Sequence, residues 1–190
     1  MLKPKSNSVQ RPAIFADRDG TLIEEVNFLS RIDELRIFDF TFDALRALKS
    51  AGYLILVITN QSGIGRGIFR QEQMLAIHQV MQERLGGMID KFYFCPHLPH
   101  SGCICRKPGR GMIDQAMADF DIDLRNSWVV GDKEIDVLTG KNFPMNTAMV
   151  LTGYGRRQIE TIAEKPTITA DNFAEAVQFI LSMAKQGASR

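Results

Sequence analysis

The segment Leu54–Ile58 (LILVI) is apolar at every position. Successive side chains of a strand point to opposite faces, so this strand needs apolar cover on both sides. A parallel sheet with helices on both faces supplies that cover, and the rest of the chain has the matching rhythm. Ala13–Ala16 (AIFA) reads as a buried strand. Thr41–Ala51 reads as a helix with Phe42, Leu45 and Leu48 on one stripe, and Gly52 stops it. Arg70–Leu85 is a second helix, with Met74, Ile77, Met81 and Leu85 in register and Gly86-Gly87 after it. Then come a strand at Ile89–Phe94, a helix at Gly111–Phe120, a strand at Ser127–Val130, a helix at Glu134–Lys141 and a strand at Thr147–Leu151. Asn172–Ala184, with Phe173, Val177, Ile180 and Leu181, is the last helix. Trp128 and the phenylalanines read as core. The expectation is an α/β fold, a doubly wound parallel sheet, in one domain over 11–184, with tails at 1–10 and 185–190.

Composition narrows the function. A chain of 190 residues, 45% hydrophobic, buries one core well. Twenty-three basic and 22 acidic residues leave a net charge of +1, which gives no argument for a nucleic-acid or membrane partner. An anionic substrate must therefore be held by local charge. Met1–Gln10 lacks the apolar stretch of a signal peptide and no run approaches a membrane span, so a cytoplasmic protein is expected, acting as a monomer.

Ligands of doubly wound sheets sit beyond the carboxyl ends of the strands, so the residues following each strand matter most. After the first strand comes Asp17-Arg18-Asp19-Gly20-Thr21. Two carboxylates held close repel, and a cation or a proton must offset that cost. The bland alternative is an acidic turn capping a helix. A calcium loop fits poorly, because the glycine comes too early and further acidic ligands are missing. After the second strand, Thr59-Asn60-Gln61-Ser62-Gly63-Ile64-Gly65-Arg66-Gly67 offers a hydroxyl, exposed backbone N–H groups and a charge, as a phosphate cradle does. Alone it could equally be a flexible loop.

After the third strand, all three cysteines fall between Cys95 and Cys105, together with His97 and His100. Cys95, His97, Cys103 and Cys105 are the preferred set for a closed, structural zinc site, with His100 the competing histidine. Reduced thiols without a metal are the alternative. Arg106-Lys107 follows at once: a planar fork and a point charge for phosphate, or a basic surface pair. After the fourth strand comes Gly131-Asp132-Lys133-Glu134-Ile135-Asp136. Asp132 is read as a metal ligand and Asp136 as orienting Lys107 or a metal-bound water, against a helix-capping alternative for both. His78 reads as an ordinary helix residue.

These four strand-end motifs, in this order, resemble the haloacid dehalogenase superfamily of phosphotransferases from about Ala13 to Ile180. A zinc loop ahead of the motif lysine is similar to the branch of the heptose bisphosphate and histidinol-phosphate phosphatases. Thr59–Gly67 (TNQSGIGRG) is closer to the former, and Cys95–Pro99 (CPHLP) occurs in both. The resemblance implies that Asp17 forms an aspartyl-phosphate, Asp19 serves as acid and base, and Thr59 and Lys107 hold the phosphoryl oxygens. It implies Mg2+ on the Asp17 carboxylate, the Asp19 main-chain carbonyl and Asp132, and no large cap domain. The substrate would be a small phosphorylated metabolite of lipopolysaccharide-type heptose synthesis, or histidinol phosphate. Asn60, Gln61, Ser62, Arg66, Arg106 and Lys133 would contact it. The loop after Thr21 also contacts substrate in the family. There the usual acidic residue, histidine, glycine and tyrosine are replaced by Glu25-Val26-Asn27-Phe28. A zinc-stabilised phosphosugar-binding protein without turnover is the reading of another class.

Overall fold

The computed structural model describes residues 9–188. Six strands, β1 (Ala13–Ala16), β2 (Leu54–Asn60), β3 (Lys91–Cys95), β4 (Trp128–Gly131), β5 (Asn146–Val150) and β6 (Ile168–Ala170), form one sheet in the order β3-β2-β1-β4-β5-β6. Every pair is parallel, and Phe15 stands opposite Leu56 on one side and Val129 on the other. The chain starts in the middle, winds outward through β2 and β3, and resumes at β4 on the opposite flank. The strand order therefore reverses between β1 and β4, which opens a crevice above their carboxyl ends.

The helices are α1 (Thr41–Ser50), α2 (Ser62–Gly65), α3 (Gln71–Arg84), α4 (Gly111–Asp119), α5 (Glu134–Lys141), α6 (Gly155–Gln158) and α7 (Phe173–Ala188). Strand alternation sorts the core into two layers. Ile14, Ala16, Ile55 and Val57 face Leu45 and Leu48 of α1, Ile77 and Met81 of α3, and Phe173 and Ile180 of α7. Ala13, Phe15, Leu56 and Ile58 face Met112, Ile113 and Ala116 of α4, with Phe143 just beyond α5. Every residue of β1 is fully buried, as a central strand covered on both faces requires.

The structure corrects several expectations. Lys185–Ala188 belong to α7 rather than to a tail. Of the tails expected at 1–10 and 185–190, residues 1–8 and 189–190 lie outside the described residues. Phe42 and Phe179 are exposed, at 42% and 44%, not core. Each sits about 100° around its helix from the centre of the buried stripe, which in α1 is Thr41, Ala44, Leu45 and Leu48. The short β6, α2 and α6 have no counterpart in the sequence reading, because three or four residues display no period. β2 runs two residues further than expected, pairing Thr59 and Asn60 with Phe94 and Cys95. Thr59 is thus fixed by the sheet rather than carried on a loop.

Candidate active site

Asp17 and Asp132 emerge from β1 and β4, on either side of the reversal. The Asp17 N–H donates to the Val130 carbonyl at 2.8 Å, so the two ends are tied together. Asp17, Asp132 and Asp136 are buried and each brings a carboxylate oxygen within 4.8 Å of the others. Room for Asp132 comes from two glycines at positive φ: a Cβ on Gly20 or Gly153 would stand 2.3 or 2.2 Å from Asp132 Oδ2. That oxygen accepts the Tyr154 N–H at 2.8 Å. Asp132 Oδ1 has no hydrogen-bond partner among the described residues and lies 3.5 Å from Lys133 Nζ. Burial, and then the Asp17 charge, push Asp132 up to about 7. A buried carboxylate oxygen without a donor is costly unless a cation completes it, and this all-oxygen set suits a hard divalent ion. The residues fit Mg2+.

Lys107 Nζ reaches Asp136 at 2.7 Å, the Ile58 carbonyl at 2.8 Å and Asp17 Oδ1 at 2.9 Å. The buried ammonium is thus paired with two carboxylates and donates to one main-chain carbonyl. Burial opposes the charge on Lys107, but Asp136 and Asp17 outweigh it and raise its pKa. Burial likewise opposes ionisation of Asp17, and Lys107 and Lys133 outweigh it, holding that carboxyl below its usual range. Asp136 also accepts the Lys133 N–H at 3.1 Å, so one side chain caps α5 and orients the lysine. Its carboxylate lies against the bare Cα of Gly131, where a Cβ would come within 2.2 Å.

Asn60 brackets the Lys107 main chain, accepting its N–H at 3.0 Å and donating to its carbonyl at 3.2 Å. Gln61 donates to Asp19 at 2.9 Å and to Thr59 Oγ1 at 2.8 Å. Both residues line the cleft, where substrate contacts are expected of them, and their amides also hold these neighbours. Asp19 is gripped by Arg18 through Nε and Nη2 at 3.0 and 2.9 Å, with Thr59 Oγ1 at 3.5 Å. Arg18 in turn meets His78 Nε2 at 3.2 Å. Neither Arg18 nor His78 was singled out for the site by sequence reasoning. A large cation between two acidic residues directly after a buried strand was the available signal for Arg18.

A cleft of about 170 Å³ opens above this floor. Asp17, Asp19, Thr59 and Lys107 form its base, and Glu25, Phe28, Ser62, Arg106 and Lys133 line its walls. Glu25 pairs with Lys133 at 3.2 Å. Burial raises the pKa of Glu25, although Lys133 opposes the shift. Lys133 also lies over the Tyr154 ring, 4.6 Å from its centroid. Phe28 holds a positive φ of 56°, a region costly for a residue with a bulky side chain, and Arg66 lies 5.9 Å above its ring. Arg66 itself is exposed and is not among the residues lining the cleft.

Beside the cleft, Cys95, His97, Cys103 and Cys105 come together, whereas His100 is outside the cluster. Four of the six ligand-to-ligand separations run from 3.2 to 3.6 Å, and all six are within 4.8 Å. Zinc–sulfur bonds of about 2.3 Å imply tetrahedral edges of roughly 3.8 Å, so a small expansion admits the ion. The carbonyl of His97 accepts from Arg106 at 3.4 Å, which couples this loop to the cleft wall.

A family model described as HAD-hydrolase-like matches residues 104–176. A D-glycero-beta-D-manno-heptose-1,7-bisphosphate 7-phosphatase of Pasteurella multocida is 39% identical over 177 residues, covering 83% of this chain and 96% of the relative. The D-glycero-D-manno-heptose-1,7-bisphosphate 7-phosphatase of Thermosynechococcus vestitus is 36% identical, covering 90% and 95%. A solved structure of D,D-heptose 1,7-bisphosphate phosphatase from B. bronchiseptica, complexed with magnesium and phosphate, superposes with a TM-score of 0.84 at 30% identity over 90% of this chain and 99% of that one.

Proposed function

This chain belongs to the haloacid dehalogenase-like phosphatases, and from that membership we propose that it hydrolyses a small sugar bisphosphate, D-glycero-D-manno-heptose 1,7-bisphosphate, at its 7-phosphate. The observation that carries the reading is the convergence of Asp17, Asp132 and Lys107 on one point beneath an open cleft. Residues 11–184 act in this reading as one catalytic unit. The protein acts in this reading as a monomer.

Asp17 attacks phosphorus in line and forms the aspartyl-phosphate. Both polar contacts to its carboxylate fall on Oδ1, from the Arg18 N–H at 2.8 Å and from Lys107, which leaves the other oxygen for the phosphorus. Asp19 protonates the leaving oxygen and then takes a proton from the water that hydrolyses the intermediate. Thr59 and Lys107 receive the transferring oxygens, a matter of position and charge. Mg2+, when bound, neutralises charge developing on those oxygens, and Asp17, the Asp19 main-chain carbonyl and Asp132 would hold it. Arg106 and Lys133 face the remainder of the substrate and suit its second phosphate. Glu25, Phe28 and Ser62 complete the walls.

The test is phosphate release with Mg2+ from heptose 1,7-bisphosphate, fructose 1,6-bisphosphate and histidinol phosphate. The expected outcome is a kcat/KM at least ~10²-fold higher for the heptose ester, since a two-phosphate, shape-matched substrate engages more of the site in the transition state. A preference for histidinol phosphate contradicts the substrate assignment.

The Cys95–Cys105 cluster is read as a structural zinc site that fixes Arg106 and Lys107, and reduced thiols suit a cytoplasmic location. Elemental analysis should find about one zinc per chain. Cys103→Ser should lower that content and raise KM more than it lowers kcat, because Arg106 loses its support.

A further inference from the structure

Arg18 is 1% exposed and presents three donor nitrogens. Two of them hold Asp19; the third, Nη1, meets His78 Nε2. A guanidinium donates at every nitrogen and accepts at none, so Nε2 must be the lone-pair nitrogen and the ring carries its proton on Nδ1. His78 is 4% exposed on α3 and stacks on Phe92 of β3, with centroids 4.3 Å apart and planes 16° from parallel. Its Nδ1 has no hydrogen-bond partner among the described residues. Burial and the Arg18 charge lower the His78 pKa to about 3, so the ring is neutral at working pH. The choice of a neutral acceptor matters. A carboxylate at this place would compete with Asp19 for the guanidinium, whereas an imidazole orients it and leaves its whole charge directed at Asp19.

We propose that His78 is a positioning residue for the reaction: its imidazole orients Arg18, whose opposite edge sets the carboxylate of Asp19 against the cleft. This rests on the phosphatase reading, in which Asp19 gives a proton to the leaving oxygen. Loss of that alignment should therefore matter only where the leaving oxygen needs the proton. A sugar alkoxide does; p-nitrophenolate, a stable anion, does not.

The experiment compares His78→Leu and His78→Gln with the unaltered chain on a sugar phosphate and on p-nitrophenyl phosphate, reading the first-turnover release of each leaving group. His78→Leu should slow release of the sugar alcohol by ~10- to 100-fold with half-saturation changed less than about twofold, since an ångström of misplacement costs on the order of 10²-fold. Release of nitrophenol should change by less than about threefold. His78→Gln, whose Oε1 reaches where Nε2 stood, should recover most of the rate. Equal losses on both esters, losses that follow thermal stability, or no loss overturn the proposal. If the unaltered chain releases neither leaving group, the phosphatase reading falls, and the crystal structure of His78→Leu then decides the positioning alone. Arg18 and Asp19 displaced support it; both unmoved overturn it.

Discussion

Asp17→Asn should reduce turnover by at least ~10⁴-fold while leaving the fold and its thermal stability intact, because a neutral amide is no nucleophile toward phosphorus. Retained stability follows from the charge pattern around the site. Removing the Asp17 charge forfeits its attraction to Lys107 and Lys133 but also relieves repulsion with Asp132 and Asp136, which crowd the same buried point, so the two effects offset. Lys107 keeps Asp136 at 2.7 Å and the Ile58 carbonyl, so no buried cation is left unpaired. Phosphate release and thermal unfolding measured on the same preparation separate the two effects. Turnover above about a tenth of the original would mean that Asp17 is not the attacking group.

Lys107→Met should damage both activity and stability. The ammonium lies in the transition-state region, and loss of one such preorganised donor costs roughly 10²- to 10³-fold in kcat. It is also the partner of two buried carboxylates, and breaking a buried pair from one side costs about 3–5 kcal/mol. The sign of the pH dependence follows from the shifts. Asp17 is depressed in the folded chain, so its contribution is present above the ordinary carboxyl value of 3.8 and fades as pH falls through the lower folded value. Lys107 is raised, so its contribution is complete below 10.5 and fades only as pH passes the higher folded value. The stability deficit of Lys107→Met should therefore be full near neutral pH and shrink in acid. Adding Asp136→Asn should restore much of the stability and none of the turnover. Restoration of turnover by the second change would show that Lys107 serves only the fold.

The sheet and the positions of most acidic and basic site residues could be read from sequence because apolar runs are followed directly by polar motifs. Asp17, Thr59 and Asp132 each sit within one residue of a strand end, and Lys107 directly follows the cysteine loop after β3, so local patterns locate them. The partners that hold them come from elsewhere. His78 meets Arg18 from 60 residues away, and the pairing depends on α3 covering β3 and β1 on the same face. Gly153 and Tyr154 reach Asp132 only because β5 lies beside β4, a neighbour relation that no local pattern contains. Asn60 and Gln61 carry groups suited to phosphate, and the sequence alone has no means of knowing that the Lys107 main chain and Asp19 already occupy those amides. The Cys95–Cys105 cluster is visible in the sequence because all its thiols fall within eleven residues.

Borohydride reduction during a single turnover tests the covalent route most directly, because it converts an aspartyl-phosphate to homoserine, which peptide mass spectrometry can locate. The expected product is homoserine at position 17, dependent on substrate and on Mg2+. Homoserine at another aspartate, or none at any position sampled while phosphate is being released, would contradict attack by Asp17.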